Sequence, residues 1–74
     1  VSEQTVILFP TSAHVMRAEK LLNKVCVTCR LIPVPRHLSS DCGFCLVVSR
    51  HECAKVCALM DDKKVTYDDT APLD

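Results

Sequence analysis

Six cysteines in 74 residues are the first candidates for chemistry: Cys26, Cys29, Cys42, Cys45, Cys53 and Cys57. A thiolate can attack an electrophile, ligate a soft metal or exchange disulfides, and its setting decides which. Cys42 stands apart. It closes a polar stretch that follows Leu31-Ile32-Pro33-Val34-Pro35-Arg36 and it precedes Gly43, the only glycine. A thiol carried on a loop at the mouth of a strand is placed to react, whereas one on a packed face is not. Gly43 admits a backbone conformation closed to other residues, or close approach of another group.

The remaining thiols read differently. Cys26-Val27-Thr28-Cys29 and Cys42-Gly43-Phe44-Cys45 invite a zinc reading, but sulfurs on one tetrahedral zinc must lie within roughly 4 Å of each other. Val27 and Thr28 favour a strand, where positions three apart are ~10 Å distant and face opposite ways. No metal site is expected. Cys53 and Cys57 fall on the apolar stripe of a helix and read as small buried hydrophobes. Cys45 lies in a central strand; it reads as structural, with a role as resolving thiol for Cys42 left open. Cys26 and Cys29 have no evident activating neighbour.

The elements that must position these groups follow from periodicity. Residues 5–9 are apolar and β-branched and stop at Pro10, the mark of a buried strand. Thr11 or Ser12 caps a helix to about residue 25, with Val15, Ala18, Leu22 and Val25 on its apolar face. Residues 27–34 form a second strand. Pro33 within it cannot donate to a ladder, which places that strand at a sheet edge. Residues 35–43 are a loop and 44–48 a third strand. Ser49 and Glu52 make a capping box for a second helix to about residue 62. Residues 64–67 read as a weak fourth strand, with flexible tails at 1–4 and about 68–74 of a single domain spanning 1–74.

The order β-α-β-β-α-β predicts an α+β fold, a ferredoxin-like sandwich with a four-stranded antiparallel sheet and two helices on one face. Strands one and three would be central. Both are apolar on both faces, so the face without helices should be sticky and buried in a homodimer or against a partner. In this topology the loop holding Cys42 shares one end of the sheet with the start of the first helix. That helix end offers backbone N–H groups and partial positive charge. His14, Arg17, Arg36, His37, Lys63 and Lys64 belong to the same end and favour a thiolate, while Asp41 opposes it. Ser39 and Ser40 can donate hydrogen bonds to the sulfur.

Composition bounds the function. Formal net charge is zero with 24% charged residues, which argues against nucleic acid as a partner. No apolar run reaches the ~20 residues needed to span a bilayer. Nearly half the residues are hydrophobic, enough to build a core without disulfide staples, so a reducing, cytoplasmic setting is expected. No cofactor motif, phosphate-cradling glycine loop, carboxylate pair or triad is present.

The segments Ile7-Leu8-Phe9-Pro10-Thr11-Ser12, His14, Arg17 to Leu22, Arg30-Leu31-Ile32-Pro33-Val34-Pro35-Arg36 and Leu38-Ser39-Ser40-Asp41-Cys42-Gly43 together resemble the small bacterial domains described as selenium/sulfur carrier protein-like. The resemblance implies that Cys42 accepts sulfur or selenium as a persulfide or selenosulfide, passed on between a donor and an acceptor enzyme. Gly43, Asp41, Ser39, Ser40, Arg36 and His14 would surround it, the last two steadying the anion. Such domains commonly place glycine after the first helix, where this chain has Cys26. The expected function is thus a non-catalytic carrier. Its rivals are a thiol–disulfide oxidoreductase using Cys42 and Cys45, and an interaction module that binds through its sheet face.

Overall fold

A computed structural model of the chain describes residues 3–36, 38 and 43–73. The elements are β1 (Gln4–Leu8), α1 (Ser12–Lys24), β2 (Cys29–Pro33), β3 (Phe44–Ser49), a 3-10 turn (Arg50–Glu52), α2 (Cys53–Asp62) and β4 (Asp69–Pro72). The sheet order is β2-β3-β1-β4, with every neighbouring pair antiparallel. The apolar strands β1 and β3 are central, and Pro33 lies on an edge strand, where its missing N–H costs no ladder bond. The fold is α+β and ferredoxin-like, as the element order predicts.

Each helix end has a local cause. The Thr11 side chain caps α1 by accepting from the His14 N–H at 3.3 Å. At the other end Cys26 takes a left-handed backbone, φ 61°. Its N–H reaches the Asn23 carbonyl at 3.1 Å, and the Val27 N–H reaches Leu22 at 2.8 Å. These two bonds define a Schellman cap. Helix α2 ends the same way: Lys64 has φ 59°, and the Lys64 and Val65 N–H groups reach Asp61 and Met60. Both left-handed positions hold residues with a Cβ, which costs each about 1 kcal/mol relative to glycine. The Ser49 side chain caps the 3-10 turn through the His51 N–H at 3.3 Å, so the serine expected to open α2 opens that turn instead, and α2 begins only at Cys53, with no side-chain cap from Glu52.

The fourth strand departs from expectation. It forms at Asp69–Pro72, inside the stretch expected to be a tail, while residues 64–67 connect it to α2. Asp, Ala and Pro are poor strand formers, so propensity does not place this strand. The free edge of β1 does. Asp68 N–H donates to the Leu8 carbonyl at 2.7 Å and Leu73 N–H to Gln4 at 3.1 Å, bracketing a ladder from Leu8↔Asp69 to Thr5↔Pro72. Likewise Gln4, expected in a flexible lead-in, pairs with Ser49.

The sheet has two apolar faces. Ile7, Phe9, Leu46 and Val48 meet Val15, Ala18 and Leu22 of α1 and Val56 and Met60 of α2. On the other face Val6, Leu8, Cys45 and Val47 are only 0–6% exposed. Ile32 of β2, Val34, Leu38, Ala71 of β4 and Leu73 pack against them. The face expected to be open is thus roofed by the chain's own edge strands, loop and tail. Burial within one chain removes the reason for expecting a homodimer there.

Candidate functional site

The strand directions bring the end of β1, the end of β2, the start of β3 and the start of β4 to one end of the sheet. The connection between β2 and β3 crosses that end. Two hydrogen bonds shape it: Val34 N–H to the Gly43 carbonyl at 3.1 Å, and Leu38 N–H to the Pro35 carbonyl at 3.0 Å. The first continues the β2–β3 ladder one step past Pro33↔Phe44 and fixes the residue that follows Cys42. The second turns the chain so that Leu38 packs on the second sheet face. Gly43 has φ +81°, and nothing lies within 4 Å of where a Cβ would stand. Its requirement is conformational, not close approach by another group.

Helix α1 lies over β3 and β2, the half of the sheet from which this connection springs. Its first turn contains no acidic residue, so nothing on the helix itself offsets the partial positive charge of its N-terminus. His14 is half-buried in that turn, and its Nδ1 shares a hydrogen bond of 2.6 Å with the Thr11 hydroxyl. The N-cap therefore holds the imidazole through Nδ1 and leaves Nε2 out of that bond. Arg36 is exposed at the turn after Pro35. Arg17 and Lys63 line one hollow between the two helices, with Lys24 and Val65.

Of the residues named from the sequence, the fold thus brings His14, Arg36 and Gly43 to one end. Ser39, Ser40, Asp41 and Cys42, with His37, lie outside the described residues. Two features of this end were missed. Leu38, the lone apolar residue in a polar run, anchors the connection; its isolation in the sequence was the available signal. Asp61, Asp62, Asp68 and Asp69 also belong to this end, so the cations there are matched by carboxylates. Asp69 stands on the edge strand farthest from β2. Three strand spacings put Asp69 on β4 about 14 Å from β2, beyond the roughly 8 Å screening length at physiological ionic strength.

The other thiols sit elsewhere. Cys45, expected to be structural or resolving, is fully buried on the second face between Leu8 and Ile32 in register. Cys26 is exposed at the α1 cap, and Cys29 is half-buried, its thiol pushed up by burial and then by the charge of Glu19. Cys53 and Cys57, expected to be buried on the α2 stripe, are only half-buried; Val56 and Met60 are the residues of that stripe that reach the core. Among the described residues no three His, Cys, Asp or Glu side chains converge to hold a metal ion, and no helix is long and apolar enough to cross a membrane.

Comparison with protein-family models matches residues 4–72 to the family described as "Putative Se/S carrier protein-like". No curated protein and no solved structure matches the chain.

Proposed function

Because the chain belongs to the Se/S carrier protein-like family over nearly its whole length, we propose that it carries sulfur or selenium on Cys42 and relays it from a donor enzyme to an acceptor enzyme. In the loading step the Cys42 thiolate attacks the terminal sulfur of a donor persulfide. A sulfur–sulfur bond forms on Cys42, the donor's own sulfur–sulfur bond breaks, and the donor leaves as a thiolate. Unloading is the same exchange with the acceptor's thiolate as attacker. No electrons are gained or lost overall, so the carrier needs no cofactor.

The observation that carries this reading is the anchoring of the β2–β3 connection at Val34, Leu38 and Gly43, at the sheet end shared with the acid-free start of α1. A carrier needs its thiol on a segment held firmly enough to present it and open enough to reach two partners. His14 and Arg36 supply positive charge for the persulfide anion. Leu31 and Phe44, 42% and 45% exposed, give donor and acceptor an apolar rim beside the loop. The full burial of Cys45 weighs against the oxidoreductase alternative, because a resolving thiol must meet Cys42 in every cycle.

Intact mass spectrometry after incubation with a cysteine desulfurase and cysteine tests the proposal. Wild type should gain the mass of one sulfur atom, lost on reduction, and Cys42→Ser should gain none. An adduct of equal occupancy in Cys42→Ser would overturn it.

A further inference from the structure

Cys53 and Cys57 were expected to be packing residues, and their surroundings are not those of packing residues. They occupy one side of α2, four residues apart and one turn above each other. Both are half-buried, and neither belongs to the hydrophobic core, which takes Val56 and Met60 from this helix. Polar partners surround them. Cys57 and the Thr70 side chain of β4 lie beside Cys53. Tyr67 lies beside Cys57. Cys53 and Thr70 also line a solvent-open hollow with Thr5, Arg50 and Pro72, so a small solute can reach Cys53, and Cys57 is itself only half-buried one turn on.

The helix restricts what two such thiols can do. A disulfide needs its Cβ atoms about 4 Å apart, and positions one helical turn apart keep theirs at roughly 5–6 Å. The pair therefore resists closing on itself while α2 stays helical. One bridging atom relieves this, because two bonds of about 2.3 Å let the sulfurs stand roughly 3.5–4 Å apart. With no third protein ligand among the described residues, the bridging atom must accept two thiolates. That excludes the closed four-ligand sites of structural zinc and selects a soft centre.

We infer that Cys53 and Cys57 form a two-thiol site for trivalent arsenic, independent of Cys42. Binding is ligand exchange. Two arsenic–oxygen bonds are replaced by two arsenic–sulfur bonds, the two thiol protons leave with oxygen as water, and no electrons change hands. Thr70 and Tyr67 flank the two sulfurs with hydroxyl groups. Nothing in this inference rests on the carrier reading.

Phenylarsine oxide tests it on the reduced full-length chain. Lys55 lies between the two cysteines, and trypsin cuts after Arg50, Lys55 and Lys63. One equivalent of reagent followed by denaturation and digestion should yield peptides 51–55 and 56–63 joined by a single phenylarsenic group. Cys53→Ala and Cys57→Ala should each abolish the joined product and weaken binding about 100-fold, the loss expected when two tethered contacts become one. Circular dichroism of both variants separates lost binding from lost folding. Arsenic found instead on peptide 25–30, which holds Cys26 and Cys29, or joined peptides absent from folded wild type, would overturn the inference. Loading of Cys42 from a persulfide donor should be unchanged in both variants, which keeps failure here distinct from failure of the carrier proposal.

Discussion

Ile7, Phe9, Leu46 and Val48 on one face of the sheet and Val6, Leu8, Cys45 and Val47 on the other are about equally buried, yet the two faces are closed by different means. The first is covered by two amphipathic helices whose apolar stripes are long and regular. The second is covered by single residues: Ile32 and Ala71 from the edge strands, Val34 and Leu38 from the β2–β3 connection, and Leu73 beyond β4. The helix-covered face would survive the loss of any one loop contact. The second face is more sensitive, because it borrows part of its cover, Val34 and Leu38, from the connection that bears Cys42. The difference teaches that the β2–β3 connection is also cover for the sheet, through Val34 and Leu38.

Substitutions on the two faces should separate these roles. The largest effect is expected from Phe9→Ala, which removes a fully buried ring beneath the helices. A loss of about 3–5 kcal/mol is comparable with the whole stability of so small a chain, and urea denaturation should show little folded protein. Leu38→Ala should cost only about 1–2 kcal/mol, because the side chain is half-buried. It should nevertheless lower persulfide loading in protein that circular dichroism shows to be folded. Loading left unchanged in Leu38→Ala would break the expected link between sheet cover and loading.

Two backbone substitutions sharpen the same contrast with smaller effects. Gly43→Ala places a Cβ in open space, so its cost of about 1 kcal/mol is purely conformational, and it should fall on loading as well as on stability. Cys26→Gly relaxes the left-handed position that closes α1 and should raise stability by up to about 1 kcal/mol with loading unchanged. Chemical denaturation of both variants, read beside the intact-mass assay, separates the two. The last effect is spectroscopic and lies at the margin of the helix-covered face. Cys57, first through hydrogen bonding and then through charge, pushes the only tyrosine, Tyr67, up to about 12. The sign is that of a phenol held protonated by an anionic neighbour. Ultraviolet titration of Cys57→Ala should bring the midpoint back toward the ordinary value of about 10.

What the sequence disclosed and what it concealed divide along a physical line. Local signals were legible: the double-sided apolar strands β1 and β3, Pro33 on an edge, the Thr11 cap, and an α1 that ends at Lys24 against an expected end near residue 25. Each is written within a few residues of chain. The misreadings depend on distant contacts. Strand β4 forms from Asp69–Pro72 because β1 has an edge to fill, and no property of those four residues announces it. The roof of Leu38 and Leu73 over the second face leaves no periodic trace, so that face looked exposed. Helical spacing placed Cys53 and Cys57 near the buried stripe but could not show that Thr70 and Tyr67 arrive beside them. Gly43 and Cys26 were both legible as backbone questions, and the torsion angles answer both: φ +81° and 61°.

The central claim is that one thiol of six carries the cargo because of where its loop is held. Site-resolved mapping of sulfane sulfur, after donor loading, alkylation and digestion, tests this most directly. The account predicts sulfur on the peptide spanning residues 37–50, retained in Cys45→Ala and absent in Cys42→Ser. Sulfur spread over the exposed Cys26 and the other thiols in proportion to their accessibility would contradict it.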